Sequence, residues 1–581
     1  MERSWRRAVR AGYSAAAGVA VVALLGFLTA GLLLFDRGLL QDDAAALHNA
    51  RVLHDRPWHQ RLHAIGEAPT RKLSLLDDSL AVETPDPLRT LQAMLLGSWL
   101  ATALLAGALG RRLLPGGEAA GAATALLVAT ASSDFLTGSL VGLGYQQSVA
   151  FFLAAFLAAH VYVRAGRWWM LLLSTALLLL SLWTIDVAAL TFPLALAWLA
   201  LVAPREQRRR AFVLSAVWMA AALPYLVAFA AFLRGPYARA AVQVPRQGAL
   251  RQVAGQLVFN FAAWKWVRRT SWYAPPRPLL PPVVAVAVAA AAALLALGWW
   301  SRPQATTAGA FDRRRALVAA GALGVLLLVA NGPTTFVQLA DIHFRTHLLS
   351  RVWASMFLAL IAAALLQHGR PARIGACALV GGFTFLGLWG GLERQDYFFS
   401  LWLDQRAELA SIVAACPRLP DDTQLVLVDI PHARFAATQA PYLAAVWGAL
   451  LYDEPRVLER TTLASAERGT TCEVEPAGLR CRMRGLPCGG ISAGMPCPQK
   501  LLVPGKVIIL AGQPRTGTYA RAAALPPAIV DPLRVPPGFA SAAPLPTASR
   551  LERWRRRLLI EPATPWAKWL ARRRLELSAG R

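Results

Sequence analysis

Asp42 and Asp43 stand side by side just after the first long apolar stretch of this chain. Adjacent carboxylates repel, which raises the pKa of one of them and suits it to take up a proton near neutral pH. A second set of residues suits the opposite task. His343, Arg345, His347 and Arg351 stand directly before an apolar segment, and cations at such a depth are costly unless paired, so a phosphate partner is expected for Arg345 or Arg351. Lys265 and Arg268 are interleaved with Trp264, Trp266, Trp272 and Tyr273, as in a helix lying at headgroup depth, where rings anchor and cations meet phosphates. Two more acids, Asp134 and Asp186, occupy short turns between apolar segments. His48, His54, His59 and His63 follow the acid pair without a metal-ligand spacing, and a plain surface helix explains His59 and His63.

The elements that must position these groups are membrane helices. With 56% hydrophobic and only 16% charged residues, the chain has too much apolar surface for an average soluble protein. Apolar runs near the length needed to cross hydrocarbon, about 20 residues, occur at 13–35, 90–110, 118–132, 147–163, 168–184, 187–203, 211–233, 281–300, 316–331, 350–367 and 374–392. The expected fold class is therefore mainly α: a polytopic membrane protein of about eleven spans over 1–392, followed by a small α/β domain. Arginines 3, 6, 7, 10, 111, 112, 164, 167, 205, 208–210, 302, 313–315, 370 and 373 fall in every second loop. The positive-inside rule makes those loops and the N-terminus cytoplasmic. The longer loops 36–88, 234–280 and 331–350 are then outside, and so are Asp36, Asp42, Asp43, Asp134, Asp186 and Asp341. The first apolar run is too long for the core of a cleaved signal peptide and reads as a retained span.

With an odd span count, residues 393–520 form an exterior domain, periplasmic in a Gram-negative bacterium whose inner membrane holds the chain. Cys472, Cys481, Cys488 and Cys497 fall there with spacings that suit disulfides better than zinc. Their three possible pairings stay open. Helices are expected at 400–415 and 440–452, and strands at 424–430, 500–503 and 506–510. Beyond 520 the chain is rich in Pro and Ala, then basic from Arg550, with Trp554, Trp566 and Trp569 among the arginines, as in an interfacial amphipathic helix. The net charge of +27 is largely accounted for by loop arginines, and no nucleic-acid motif accompanies it.

The stretch Asp42 to Pro57, an acid pair, a small-residue helix ending Asn49-Ala50-Arg51-Val52-Leu53, then a proline, resembles the first outer loop of GT-C glycosyltransferases such as protein O-mannosyltransferases and aminoarabinose transferases. A second similarity runs from Tyr145-Gln146-Gln147 to Pro193, although this chain has Ile185-Asp186 where such enzymes commonly carry Lys-Glu. In layout the resemblance covers 1–392. It implies an inverting transferase that takes a sugar from a polyprenyl-phosphate donor in the bilayer to a glycan, lipid or protein acceptor. Asp42, or Asp43, would be the base, with the donor phosphate held by Arg345, Arg351, His343, His347, Lys265 and Arg268. No metal site or cofactor is defined by the residues, and a divalent cation is left open. A non-catalytic scaffold of the same fold and a transporter or flippase of lipid-linked substrates are the alternatives; the second would show buried mid-span charges or internal repeats.

Overall fold

The computed structural model describes residues 2–40, 42–54, 56–67, 72–131, 140, 142–234, 249–262, 312–335, 347–429, 437–438, 441–454, 456–465, 470–483, 500–540 and 542–579. Its helical part runs α1 (Glu2–Ala30), α2 (Asp42–His54), α3 (Trp58–Glu67), α4 (Lys72–Val82), α5 (Pro87–Leu113), α6 (Glu118–Thr130), α7 (Gly142–Ala165), α8 (Trp168–Thr184), α9 (Phe192–Val202), α10 (Arg208–Leu233), α11 (Ala249–Phe261), α12 (Arg313–Thr335), α13 (His347–Leu366) and α14 (Arg370–Ala415).

Among the described residues seven of these helices are long and apolar enough to cross a membrane: α1, α5, α7, α10, α12, α13 and α14. The expected count of eleven is therefore not met by long helices alone. α6, α8 and α9, expected as spans, have 13, 17 and 11 residues. Extended backbone at Ile185 ends α8, and Pro193 sits in the first turn of α9, so the chain breaks there instead of running on. The expected span at 281–300 lies outside the described residues.

Small residues let the helices approach closely. α5 crosses α6 at Gly107 and Gly121, where a Cβ on Gly121 would lie 2.8 Å from the Gly107 carbonyl oxygen. α1 meets α14 at Thr29 and Gly391, where a Cβ would lie 2.8 Å from the Thr29 carbonyl oxygen. Around these seams Phe152, Phe156, Trp198, Trp218 and Trp353 are fully buried in one large apolar core.

α14 has 46 residues, about 70 Å of helix, more than twice the thickness of hydrocarbon. The segments expected separately at 374–392 and 400–415 are one rod that carries the chain from the helical bundle into an α/β layer. That layer contains β1 (Gln424–Val428), α15 (Pro441–Tyr452), β2 (Thr461–Ala464), β3 (Thr470–Glu475), β4 (Gly478–Met483), β5 (Lys500–Leu502), β6 (Val507–Gln513) and β7 (Thr518–Ala522). One sheet has the order β2-β1-β6-β7, with β1 parallel to β2 and β6, and β7 antiparallel to β6. The other is antiparallel, in the order β3-β4-β5. Cys472 and Cys481 face each other across β3 and β4 and form a disulfide. Cys488 and Cys497 lie outside the described residues.

The chain then returns to the bundle. In α16 (Ser549–Leu558) Arg555 is buried and donates to the carbonyls of Leu451 and Pro417, and Trp554 donates to Leu450 O at 2.6 Å. Asp36, at the end of α1, accepts the backbone N–H groups of Ala563 and Thr564 at 2.7 and 2.9 Å and the Thr564 hydroxyl at 2.6 Å. This caps the start of α17 (Pro565–Ala579), whose Arg574 reaches the fully buried Asp396 of α14 at 2.8 Å. Bundle and α/β layer share a core: Leu34, Leu39, Leu47, Leu88, Leu91 and Leu143 pack in one cluster with Leu409, Leu425, Trp447, Leu450, Leu510 and Ile560.

Candidate active site

The end of α1 and the starts of α5 and α7 face the α/β layer, and the segment joining α1 to α5 fills the space between. α2 begins at Asp42. Asp43 is almost fully buried, and its carboxylate accepts the Leu40 N–H at 3.2 Å while its own N–H donates to Leu40 O at 2.7 Å. This reciprocal pair fixes the first turn of the helix, as acids at helix starts do. Arg37, also buried, faces Asp43, and its guanidinium lies 5.1 Å from the centre of the Phe398 ring. Burial lowers its pKa to about 10 against the opposing pull of Asp43.

α4 lies against α2, α5, α7 and α8, with Lys72 4.8 Å above the Trp183 ring of α8. It brings in a second acid pair, Asp77 and Asp78. Burial raises Asp78 to about 7, and the charges of Asp77 and Asp43 raise it further. Burial raises Asp77 to about 6, against a lowering hydrogen bond from Gln147 of α7. Three carboxyl groups are thus coupled in one partly dry space, which disfavours their ionising together.

The neighbouring residue of α7 ties in the cation. Gln146 accepts from Arg351 Nη2 at 3.4 Å, and the Arg351 guanidinium lies 3.8 Å from the centre of the Trp99 ring of α5. Arg351 is 1% exposed, in the first turns of α13, beside a small cavity lined by Asn260, Ser355, Leu358 and Phe383. Consecutive residues of α7 therefore hold the acid cluster and the arginine. Several buried polar atoms around this space have no hydrogen-bond partner: Arg37 Nη1, Gln92 Oε1, Gln146 Nε2 and Gln147 Oε1.

Of the residues picked from the sequence, Asp43 is coupled to Asp78, and Arg351 is bonded to Gln146 of α7. Asp42 and His347 head α2 and α13, and Asp186 opens a single turn at 186–188, but their side chains lie outside those described. Asp134, Lys265, Arg268, His343 and Arg345 lie outside the described residues. His48 is buried and its pKa lowered by burial, while His54 lies 3.3 Å from Glu83. Among the described residues no group of three or more His, Cys, Asp or Glu side chains is arranged to hold a metal ion.

Sequence reasoning missed Asp77 and Asp78. The signal was present: they interrupt the otherwise apolar run Leu73-Ser74-Leu75-Leu76-Asp77-Asp78-Ser79-Leu80 in the same loop as the first pair. It gave no role to Arg37, or to Gln146 and Gln147 within the second similarity, because only tertiary packing shows what they face. No protein-family model matches the chain, and comparison with curated proteins gives no match.

Proposed function

We propose that this is a membrane glycosyltransferase that moves a sugar from a polyprenyl-phosphate donor to an acceptor hydroxyl at the outer rim of the bilayer. The observation that carries the reading is the coupling of Asp78 to Asp77 and Asp43, with Asp77 bonded by Gln147 and Arg351 by Gln146, adjacent residues of α7. In an inverting transfer the acceptor oxygen attacks the anomeric carbon while the bond to the phosphate oxygen breaks, and the phosphate leaves with the electron pair. The acceptor proton goes to a carboxylate on the opposite face of the sugar. Asp42, Asp43 and Asp78 are the candidates for that base, and Asp78, raised to about 7, has the affinity for a proton that general-base work near neutral pH calls for. Arg351 would face the departing phosphate, where a fixed cation in a water-poor space stabilises developing charge. The seven apolar helices would hold the donor's lipid tail in hydrocarbon.

The test is transfer of a labelled sugar from a panel of polyprenyl-phosphate donors by membranes carrying Asp42→Asn, Asp43→Asn, Asp78→Asn or Arg351→Gln. Loss of the base is expected to slow transfer about 10²- to 10⁴-fold. Wild-type rates in all three acid variants would remove the mechanism.

A further inference from the structure

α17 has two unlike faces. On one, Ala567 and Leu570 are fully buried against Leu33 and Phe399, and Arg574 is paired with buried Asp396. Positions 567, 570, 571 and 574 fall on one side of a helix at 3.6 residues per turn. The opposite side carries Trp566, 50% exposed, Trp569, 41% exposed, and the exposed cations Lys568, Arg572 and Arg573. Large rings left in solvent cost free energy that lysines and arginines alone would not. The combination suits a boundary that is apolar at ring depth and anionic just above it.

The packing fixes the depth of this face. Leu33 belongs to the last turns of the candidate span Ala16–Asp36, and Asp36 itself caps the start of α17 through Ala563 and Thr564. The helix is thus moored at the rim of α1, where a bilayer surrounding α1 would place its headgroups. From this we infer that α17 binds anionic phospholipid headgroups, with Trp566 and Trp569 among the upper acyl chains and Lys568, Arg572 and Arg573 on the phosphates. Charge complementarity selects the occupant: three cations share the exposed side with Glu576, which pairs with Arg573 at 2.9 Å. Basic residues near an anionic surface are held by its potential, so the contact depends on lipid charge. It does not depend on sugar transfer.

The full-length protein in nanodiscs tests this. Amide hydrogen exchange over residues 566–579 is expected to slow several-fold when phosphatidylcholine discs are replaced by discs containing phosphatidylglycerol. In the variant Lys568→Gln/Arg572→Gln/Arg573→Gln that difference is expected to vanish. Equal exchange in both lipids overturns the proposal, as does protection that appears only when two copies share a disc, which would make the occupant a second chain. Independently of the charge variant, lipids brominated near the headgroup should quench a larger fraction of wild-type fluorescence than of Trp566→Phe/Trp569→Phe fluorescence. Equal fractional quenching contradicts the assignment.

Discussion

Burial, with the neighbouring charges of Asp77 and Asp43, pushes the pKa of Asp78 up to about 7, well above the ordinary carboxyl range, and Glu408 of α14 is pushed up likewise. Burial raises Glu408 to about 7, although its oxygens accept the N–H groups of Ala437 and Thr438 at 2.7 and 3.1 Å and the Thr438 hydroxyl at 2.5 Å. Both carboxyls bind a proton more tightly in the folded chain than in the unfolded one. The stability these two groups contribute is therefore fully present below the ordinary carboxyl range and is lost as pH rises from about 4 through about 7. The thermal midpoint in detergent should decline between pH 5 and pH 8, and Asp78→Asn with Glu408→Gln should flatten that slope. An unchanged slope would mean that neither site is as dry as its surroundings indicate. The same proton affinity links stability to chemistry, because a group costly to ionise is the one ready to accept a proton.

At the scale of elements, what the sequence made legible followed its strongest periodicities. The apolar runs at 90–110 and 350–367 became α5 and α13, and the β-branched run beginning at Gln424 became β1. The union of α14 was hidden because its buried polar stretch Glu393-Arg394-Gln395-Asp396 looks like a loop after a span. Two of these side chains find tertiary partners that sequence does not display: Gln395 bonds Leu28 O and Leu33 N, and Asp396 bonds Arg574. Similarly, β2, β3, β4 and β7 acquire their identity from pairing. In the β3–β4 pair the disulfide closes a separation of 9 residues, for which loop entropy gives about 2.5 kcal/mol. Cys472→Ser should raise hydrogen exchange across β3 and β4 while leaving β1 and β6 protected. Uniform deprotection of both sheets would show instead that the disulfide holds the whole α/β layer.

Over the whole molecule, the α/β layer is fixed to the helical bundle and does not hang from it. Arg51 of α2 pairs with Asp453 at the end of α15 and lies 4.3 Å from the Trp554 ring of α16, so the acid-bearing segment, the sheet layer and the C-terminal helices meet at one residue. Truncation after Ala548 removes α16 and α17, takes away the Ala563 and Thr564 N–H groups that Asp36 caps and opens the shared core around Leu450 and Ile560. Such a chain should lose protease resistance in the α1–α5 segment as well as in the α/β layer; cleavage confined to the new terminus would show that the two parts are independent. That shared architecture packs the acid-bearing α2 and α4 against the α/β layer and the bundle. The most direct measurement is sugar transfer by purified protein in nanodiscs, from labelled polyprenyl-phosphate sugars, comparing wild type with Asp43→Asn/Asp78→Asn. A base in this cluster predicts transfer with release of polyprenyl phosphate by the wild type and a loss of at least about 100-fold in the double variant. Equal transfer by both proteins would contradict it, and so would its absence from the wild type with every donor.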